Sequence, residues 1–323
     1  MERYEISYSQ AEQSFAIPAG ANKPGGLALA IGFFDGVHLG HAEVIRTAVK
    51  LARARGQTPA VLTFDPHPRV VLGHDQYHTV LTPLPDKLAL FERLGVEAAF
   101  VVSFDTAFSQ VTADRFVERL LLPLGVATAV VGFDFKFGHR GQGNADLLRR
   151  KSGGAIDVQV VQPVFRGDAK VSSTRIRELL AQGRCDEAAE LLNRPFEIRG
   201  KVIHGKALGR QLGFPTANLE SDWAYVIPLH GVYAVKVTGF KDGKPVTADG
   251  VINVGVRPTV DAPGGEPKLE VHLFDFSGDL YGGTLTVQFR HFLRPEMKFG
   301  SLDELIAQIG RDAQRARELL ASE

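Results

Sequence analysis

Over the first half of the chain, short apolar runs alternate with stretches in which apolar residues recur every three or four positions. The runs are LALAIGFF at 27–34, AVLTF at 60–64, AAFVVSF at 98–104, TAVVGF at 128–133 and IDVQVV at 156–161. Between them, 42–55 places Val44, Ile45, Ala48, Leu51 and Ala52 on one helical face, and 85–94 and 112–122 read the same way. Strands alternating with helices of this length predict a right-handed, doubly wound parallel sheet of Rossmann-like type. Such sheets bind ligands beyond the carboxyl ends of their strands.

The period then changes. After a helical connector near 186–192, apolar and polar residues alternate in FEIRGKVIHG at 196–205, VYAVKVTGF at 232–240, KLEVHLFDF at 268–276 and LTVQFRHFL at 285–293. Glycine, proline or aspartate separates the runs, so they read as antiparallel strands of a small β-barrel or sandwich. An amphipathic pattern at 302–320 predicts a closing helix. The two patterns divide the chain into domains at 1–186 and 187–323, and 323 residues suffice for two cores.

Lysine plus arginine equals aspartate plus glutamate, 37 of each, so any anion site must be local rather than a field over the whole surface. That argues against a nucleic-acid-coating role. One cysteine, Cys185, cannot form an intrachain disulfide, which fits a reducing compartment. The first ten residues lack a signal pattern, and no apolar run approaches the roughly 20 residues that span a bilayer. A cytoplasmic protein with small-molecule partners, and neither nucleic acid nor membrane, is expected. Oligomeric state is not legible in the sequence.

The candidate chemistry gathers at predicted strand ends. GFFDGVHLGH at 32–41 lies between the first predicted strand and helix, so His38 and His41 sit where unpaired backbone N–H groups and the helix dipole favour an anion. Imidazole N–H donors add to such a site without a permanent charge, although a polar turn with a capping histidine would look the same. DPHP at 65–68 brings His67 to a second strand end, and VGFDFKFGHRGQGN at 131–144 brings Asp134, Lys136 and Arg140 to a third. In VSSTRIRELL at 171–180, Ser172, Ser173 and Thr174 are good N-cap residues, but Arg175 and Arg177 occupy the first turn. There each positive charge opposes the macrodipole by about 0.3–1 kcal/mol, a conflict that an anionic ligand removes.

GFFDGVHLGH, TFDPHP, VGFDFKFG and SSTRIR, in this order, resemble the FMN adenylyltransferase domain of the bacterial bifunctional riboflavin kinase/FMN adenylyltransferases, within the HxGH nucleotidyltransferase superfamily. The resemblance implies that Gly32, Asp35, His38, His41, Ser173, Thr174 and Arg177 contact ATP. His38 and His41 would be the catalytic pair, with His67 and Asp134 facing flavin or nucleotide.

In the second half, RGKVIHGKALGRQLGFPTANL at 199–219 nearly matches a P-loop, but Ala207 replaces the hydroxyl residue and the run is strand-like rather than followed by a helix. Its glycines read as a flap. In PTAN, Thr216 and Asn218 would share one face of a strand and offer oxygens suited to Mg²⁺ carried on a nucleotide. With INVGVRPT, LEVHLFDF, DLYG and LRPEMKF, this stretch resembles riboflavin kinase. By that resemblance Gly205, Lys206, Gly209 and Gly213 form the ATP flap, Thr216 and Asn218 hold Mg²⁺ with ATP, and Glu270 is the general base. Arg294 and Glu296 would close over the flavin. The chain as a whole would phosphorylate riboflavin to FMN and adenylylate FMN to FAD, with ATP and Mg²⁺ as co-substrate and flavins as substrates and products. A metal-dependent phosphohydrolase using His38, His41, His67, Asp35 and Asp65, or a non-catalytic flavin-binding protein, stays open as an alternative.

Overall fold

The apolar runs of the first half become the centre of a seven-stranded sheet. Its strands are β1 (Glu2–Ser9), β2 (Ser14–Ala16), β3 (Leu27–Ile31), β4 (Thr58–Asp65), β5 (Ala98–Ser103), β6 (Val126–Gly132) and β7 (Asp157–Val161), in the order β2-β1-β5-β4-β3-β6-β7. All neighbours are parallel except the edge pair β1 and β2. This computed structural model describes residues 1–73, 77–205, 213–257 and 266–323. The chain divides into two compact units, Met1–Ser173 and Thr174–Glu323.

Alternation within each buried strand supplies two cores. Leu27, Leu29 and Ile31 enter one with Leu62, Phe100 and the helical turn Phe116–Leu121, while Ala30, Val61, Ala99 and Val101 enter the other with Ile45, Leu88 and Phe91. The helices Leu39–Arg55 and Leu84–Arg93 cover this second face. The helix expected over 112–122 instead runs from a short α-turn, Ala113–Arg115, into a π-helical turn. β1 and β2 escaped the periodicity reading, yet burial of Ile6 and Tyr8 between exposed Glu5 and Ser7 is a period-2 signal.

The order reverses beside β3. The chain passes from β3 to β4 and β5 on one side and returns to place β6 on the other. Ligands bind at such a switch point, beyond the carboxyl ends of the strands. Residues 32–41 leave β3 there.

In the second unit, β10 (Phe196–Ile203), β11 (Ala217–Glu220), β12 (Gly231–Lys241), β13 (Lys244–Arg257), β14 (Glu266–Leu273) and β15 (Thr284–Pro295) close into an antiparallel barrel in the order β10-β11-β14-β13-β12-β15. Val235, Val237, Ile252, Val254, Val271, Val287 and Phe289 are fully buried. A two-stranded hairpin, β8 (Phe165–Arg166) with β9 (Ala169–Lys170), lies in the first unit. The helix Leu302–Ala321 packs Ala316 and Leu320 on Val232, Ala234, Val251 and Phe274. Ser301 caps it by accepting from Glu304 N–H, and Glu304 reaches back to Gly300 N–H, a reciprocal arrangement that satisfies two otherwise orphaned donors.

The boundary expected after residue 186 lies inside the second unit. The helices Ser173–Ala181 and Cys185–Leu192 are drawn there by contacts with the barrel: Leu229 N–H donates to Leu180 O, and Gly183 abuts the Phe292 ring, where a Cβ would be crowded.

Candidate active sites

The turn after β3 is held in a conformation its residues would not choose. Phe34 has φ 57° and Val37 φ 42°, left-handed values that cost a side chain, and a β-branched one most. Four side chains, through five hydrogen bonds, hold the strain. Asp35, 4% exposed, accepts from Leu81 N–H at 2.9 Å and Thr82 N–H at 3.2 Å. Phe33 O accepts from the Thr63 hydroxyl at 3.0 Å and from Lys87 Nζ at 2.8 Å, and Ser173 Oγ donates to Asp35 O at 2.8 Å.

The strained turn delivers two histidines to the start of the helix Leu39–Arg55. His38 is its N-cap, accepting from His41 N–H at 3.3 Å, and the two rings stack with centroids 3.6 Å apart. His41 keeps some exposed surface, yet its Nδ1 is buried and has no hydrogen-bond partner among the described residues. An orphaned polar atom of this kind awaits a ligand or water. Burial, then the charges of His38 and Lys87, hold the His41 imidazole well below its ordinary range, so it stands neutral and able to donate. Lys87, on the helix Leu84–Arg93, was not singled out from the sequence because it interrupts an apolar stripe without matching a motif.

Around this turn, His67 caps the short helix Pro68–Val71 and packs its ring 4.0 Å from that of Phe33. Asp134 pairs with Lys170 at 3.3 Å, and Lys170 lies 4.1 Å from the centre of the exposed Phe133 ring. Thr174 and Arg177 follow Ser173 on the helix Ser173–Ala181, where Arg175 is paired with Glu178 at 3.2 Å. The helix has no acidic residue in its first turn. Gly32 lies against the Phe34 ring. Beside β4 and β5 an aromatic recess is lined by Phe64, Phe104, Phe108, Phe116, Phe135 and Phe137 with Lys136 among them, a site assembled from separated segments and invisible to motif reading.

In the barrel, strand register builds a row that no single strand announces. Asn218 of β11 pairs Glu270 of β14, Glu270 pairs Asn253 of β13, Asn253 pairs Val232 of β12, and Val232 pairs Arg294 of β15. Directly opposed residues share a face, so Glu270 stands between two carboxamides. Its Oε2 lies 2.7 Å from Lys268 Nζ. Asn218 is buried, and Gly205 approaches it so closely that a Cβ there would run into the amide nitrogen. Gly255 meets the Glu296 carboxylate in the same way. Thr216 lies one residue before β11 and, with Pro215, Val202, Leu273 and Tyr281, lines a recess at the barrel mouth, where His204 stacks on Tyr281 at 3.8 Å. Gly213 has φ 82°, whereas Lys206 and Gly209 of the expected flap lie outside the described residues. The Arg294 guanidinium is bonded to Asp312 of the terminal helix at 2.8–3.1 Å.

A family model for FAD synthetase matches residues 21–175, and one for riboflavin kinase matches 192–320. The bifunctional riboflavin kinase/FMN adenylyltransferase of Bacillus subtilis is 40% identical over 290 residues, 89% of this chain and 90% of that protein. That of Escherichia coli is 42% identical over 296 residues, 91% and 92% of the two chains. The chain belongs to this bifunctional family. It phosphorylates riboflavin to FMN and adenylylates FMN to FAD, an ATP-consuming kinase and nucleotidyltransferase in one polypeptide. A solved structure described as a macrolide-efflux protein from Streptococcus pneumoniae is also similar, with a TM-score of 0.85 and 32% identity, covering 98% of this chain and 99% of that one. Among the described residues no helix is long and apolar enough to cross a membrane.

His38, His41, Ser173, Thr216, Asn218 and Glu270 were legible as motif residues. Asn253, Lys268 and the phenylalanines of the recess were not, because each acquires its place only through strand pairing or packing.

Proposed function

We propose that each unit carries out one transfer at its own ATP site, with the residue roles that follow. In the first unit His38 and His41 contact the triphosphate, with Ser173 on the nucleotide and the aromatic recess taking the flavin ring. An FMN phosphate oxygen attacks the α-phosphorus of ATP, the α–β bridge breaks, and pyrophosphate leaves. The nucleophile is already anionic, so no protein base is needed. The neutral imidazole of His41 donates to charge that develops on the bridging and leaving oxygens.

In the second unit Glu270 accepts the proton of the riboflavin 5′ hydroxyl as that oxygen attacks the γ-phosphorus of a second ATP, and ADP departs. Lys268 must yield its contact with Glu270 to the hydroxyl. The donors at Thr216 and Asn218 suit Mg²⁺: both offer neutral, hard oxygens. Among the described residues no group of three or more His, Cys, Asp or Glu side chains could cage a metal, which suits an ion that retains waters and arrives on nucleotide phosphates. When bound, that ion neutralises charge on the transferring phosphoryl group.

The observation that carries this reading is that each set of groups is drawn from one unit. The histidine turn and the aromatic recess belong to Met1–Ser173, and the row through Glu270 belongs to Thr174–Glu323. Chromatography of the products from riboflavin, ATP and Mg²⁺ tests it. Glu270→Ala is expected to slow FMN formation by at least about 10²-fold while supplied FMN still becomes FAD. His38→Ala with His41→Ala should leave FMN accumulating. Equal loss of both steps in both variants would overturn the assignment of separate sites.

A further inference from the structure

Lys87 places a charge where packing alone would not. It is 2% exposed, on a helix whose other core-facing residues are Leu84, Leu88 and Phe91. Its Nζ donates to Phe33 O at 2.8 Å and lies 3.8 Å from the centre of the Phe33 ring. Phe33 O already accepts from Thr63, so the carbonyl would stay satisfied without the ammonium. Burying a cation is costly, and an apolar side chain would fill the same space without that penalty. The charged groups that interact with it are Asp35 in the turn and Asp65 at the end of β4, with His41 and its neighbour His38 at the start of the first long helix. Asp35 is already held by two backbone N–H groups, so it too has a partner without Lys87.

We infer that Lys87 is a positioning residue for adenylyl transfer: from behind the turn it fixes the Phe33 carbonyl and supplies the buried positive charge against which the triphosphate docks. The inference rests on placing adenylyl transfer at the histidine turn. It also explains the division of labour within that turn. The permanent charge is kept off the histidines, which act as donors, and is placed one layer behind them. Burial pulls Lys87 down to about 8 against the opposing pull of Asp35 and Asp65, so an alkaline limit to its charge falls within a measurable range. A bound polyphosphate would raise it again.

The test is the pH profile of kcat/KM for ATP in the conversion of FMN to FAD by the full chain, between pH 6 and 10. The native enzyme should lose rate on an alkaline limb near pH 8. Lys87→Met should lower kcat/KM for ATP on the order of tenfold, leave KM for FMN unchanged and abolish that limb. Lys87→Arg, charged throughout, should retain most of the rate and carry the limb beyond the range; it decides the matter should Lys87→Met not fold. Retention of the limb in either variant overturns the inference, as does a Lys87→Met profile merely scaled down at every pH, the signature of a purely structural loss. His41→Ala serves as the control for the site. If it adenylylates FMN normally, the site assignment falls and the inference with it; if it is inactive while Lys87→Met is within twofold of native, only the inference falls.

Discussion

At the scale of single residues, function here is set by close approach and by tolerated strain. Left-handed backbone at Phe34 and Val37 is retained because the Asp35 carboxylate, the Thr63 hydroxyl, the Lys87 ammonium and the Ser173 hydroxyl all grip the same turn. His38 caps the helix and its ring also stacks on that of His41, so the capping role uses one ring without dispersing the imidazole pair. Gly205 makes the corresponding point in the kinase unit. Gly205→Ala should impair riboflavin phosphorylation on the order of 10²-fold by pushing the Asn218 amide from its place, while FMN adenylylation continues at the native rate. Steady-state assays with riboflavin and with FMN as alternative substrates separate the two outcomes.

At the scale of elements, periodicity located most helices and strands to within a few residues, because a face that packs must repeat at the pitch of its element. It missed β1 and β2 because eight residues of alternation at the chain start were weighed only for a targeting signal. It could not foresee the π-helical turn at Phe116–Leu121, which a one-residue change of hydrogen-bond partner produces without altering the apolar pattern. The terminal helix shows how an element is fastened. Arg294 and Asp312, with side chains 15% and 7% exposed, join it to the end of β15. Arg294→Ala strands a buried carboxylate and should lower unfolding free energy by about 3 kcal/mol; Arg294→Ala with Asp312→Ala should recover much of that loss. Urea titrations of the three variants measure it.

At the scale of the whole molecule, the buried lysine leaves a signature in stability as well as rate. The unfolded chain holds the Lys87 proton up to about 10.5, whereas the folded chain releases it at about 8. Between these values the unfolded state binds more protons, so folding gains stability as pH rises through that window, and the penalty is full below it. The shift corresponds to roughly 3 kcal/mol. Denaturant unfolding of the native protein and Lys87→Met at pH 7 and pH 10.5 should show the difference between them change by about that amount, in favour of the native chain at high pH. A pH-independent difference would mean that Lys87 holds its proton as tightly in the folded chain as in the unfolded one. Two units with different backbone periods were legible from the pattern alone. The transition between them was harder to locate, because helices beside a boundary carry the same apolar spacing whichever core receives them; contact with Leu229 and Phe292 decided it.

The sequence by itself determined the kind of element at each position, the loops that carry histidine, hydroxyl and carboxamide groups, and the bifunctional family, since these depend on local spacing and on residue identity. Tertiary structure alone decided which distant residues become neighbours. Glu270 lies between Asn218 and Asn253 only through register across three strands, six phenylalanines form one recess only through packing, and Lys87 meets the Phe33 carbonyl only because its helix lies against the β3 turn. The physical reason is that backbone period is written within a few residues, whereas pairing register and burial are settled by the collective minimum of the fold.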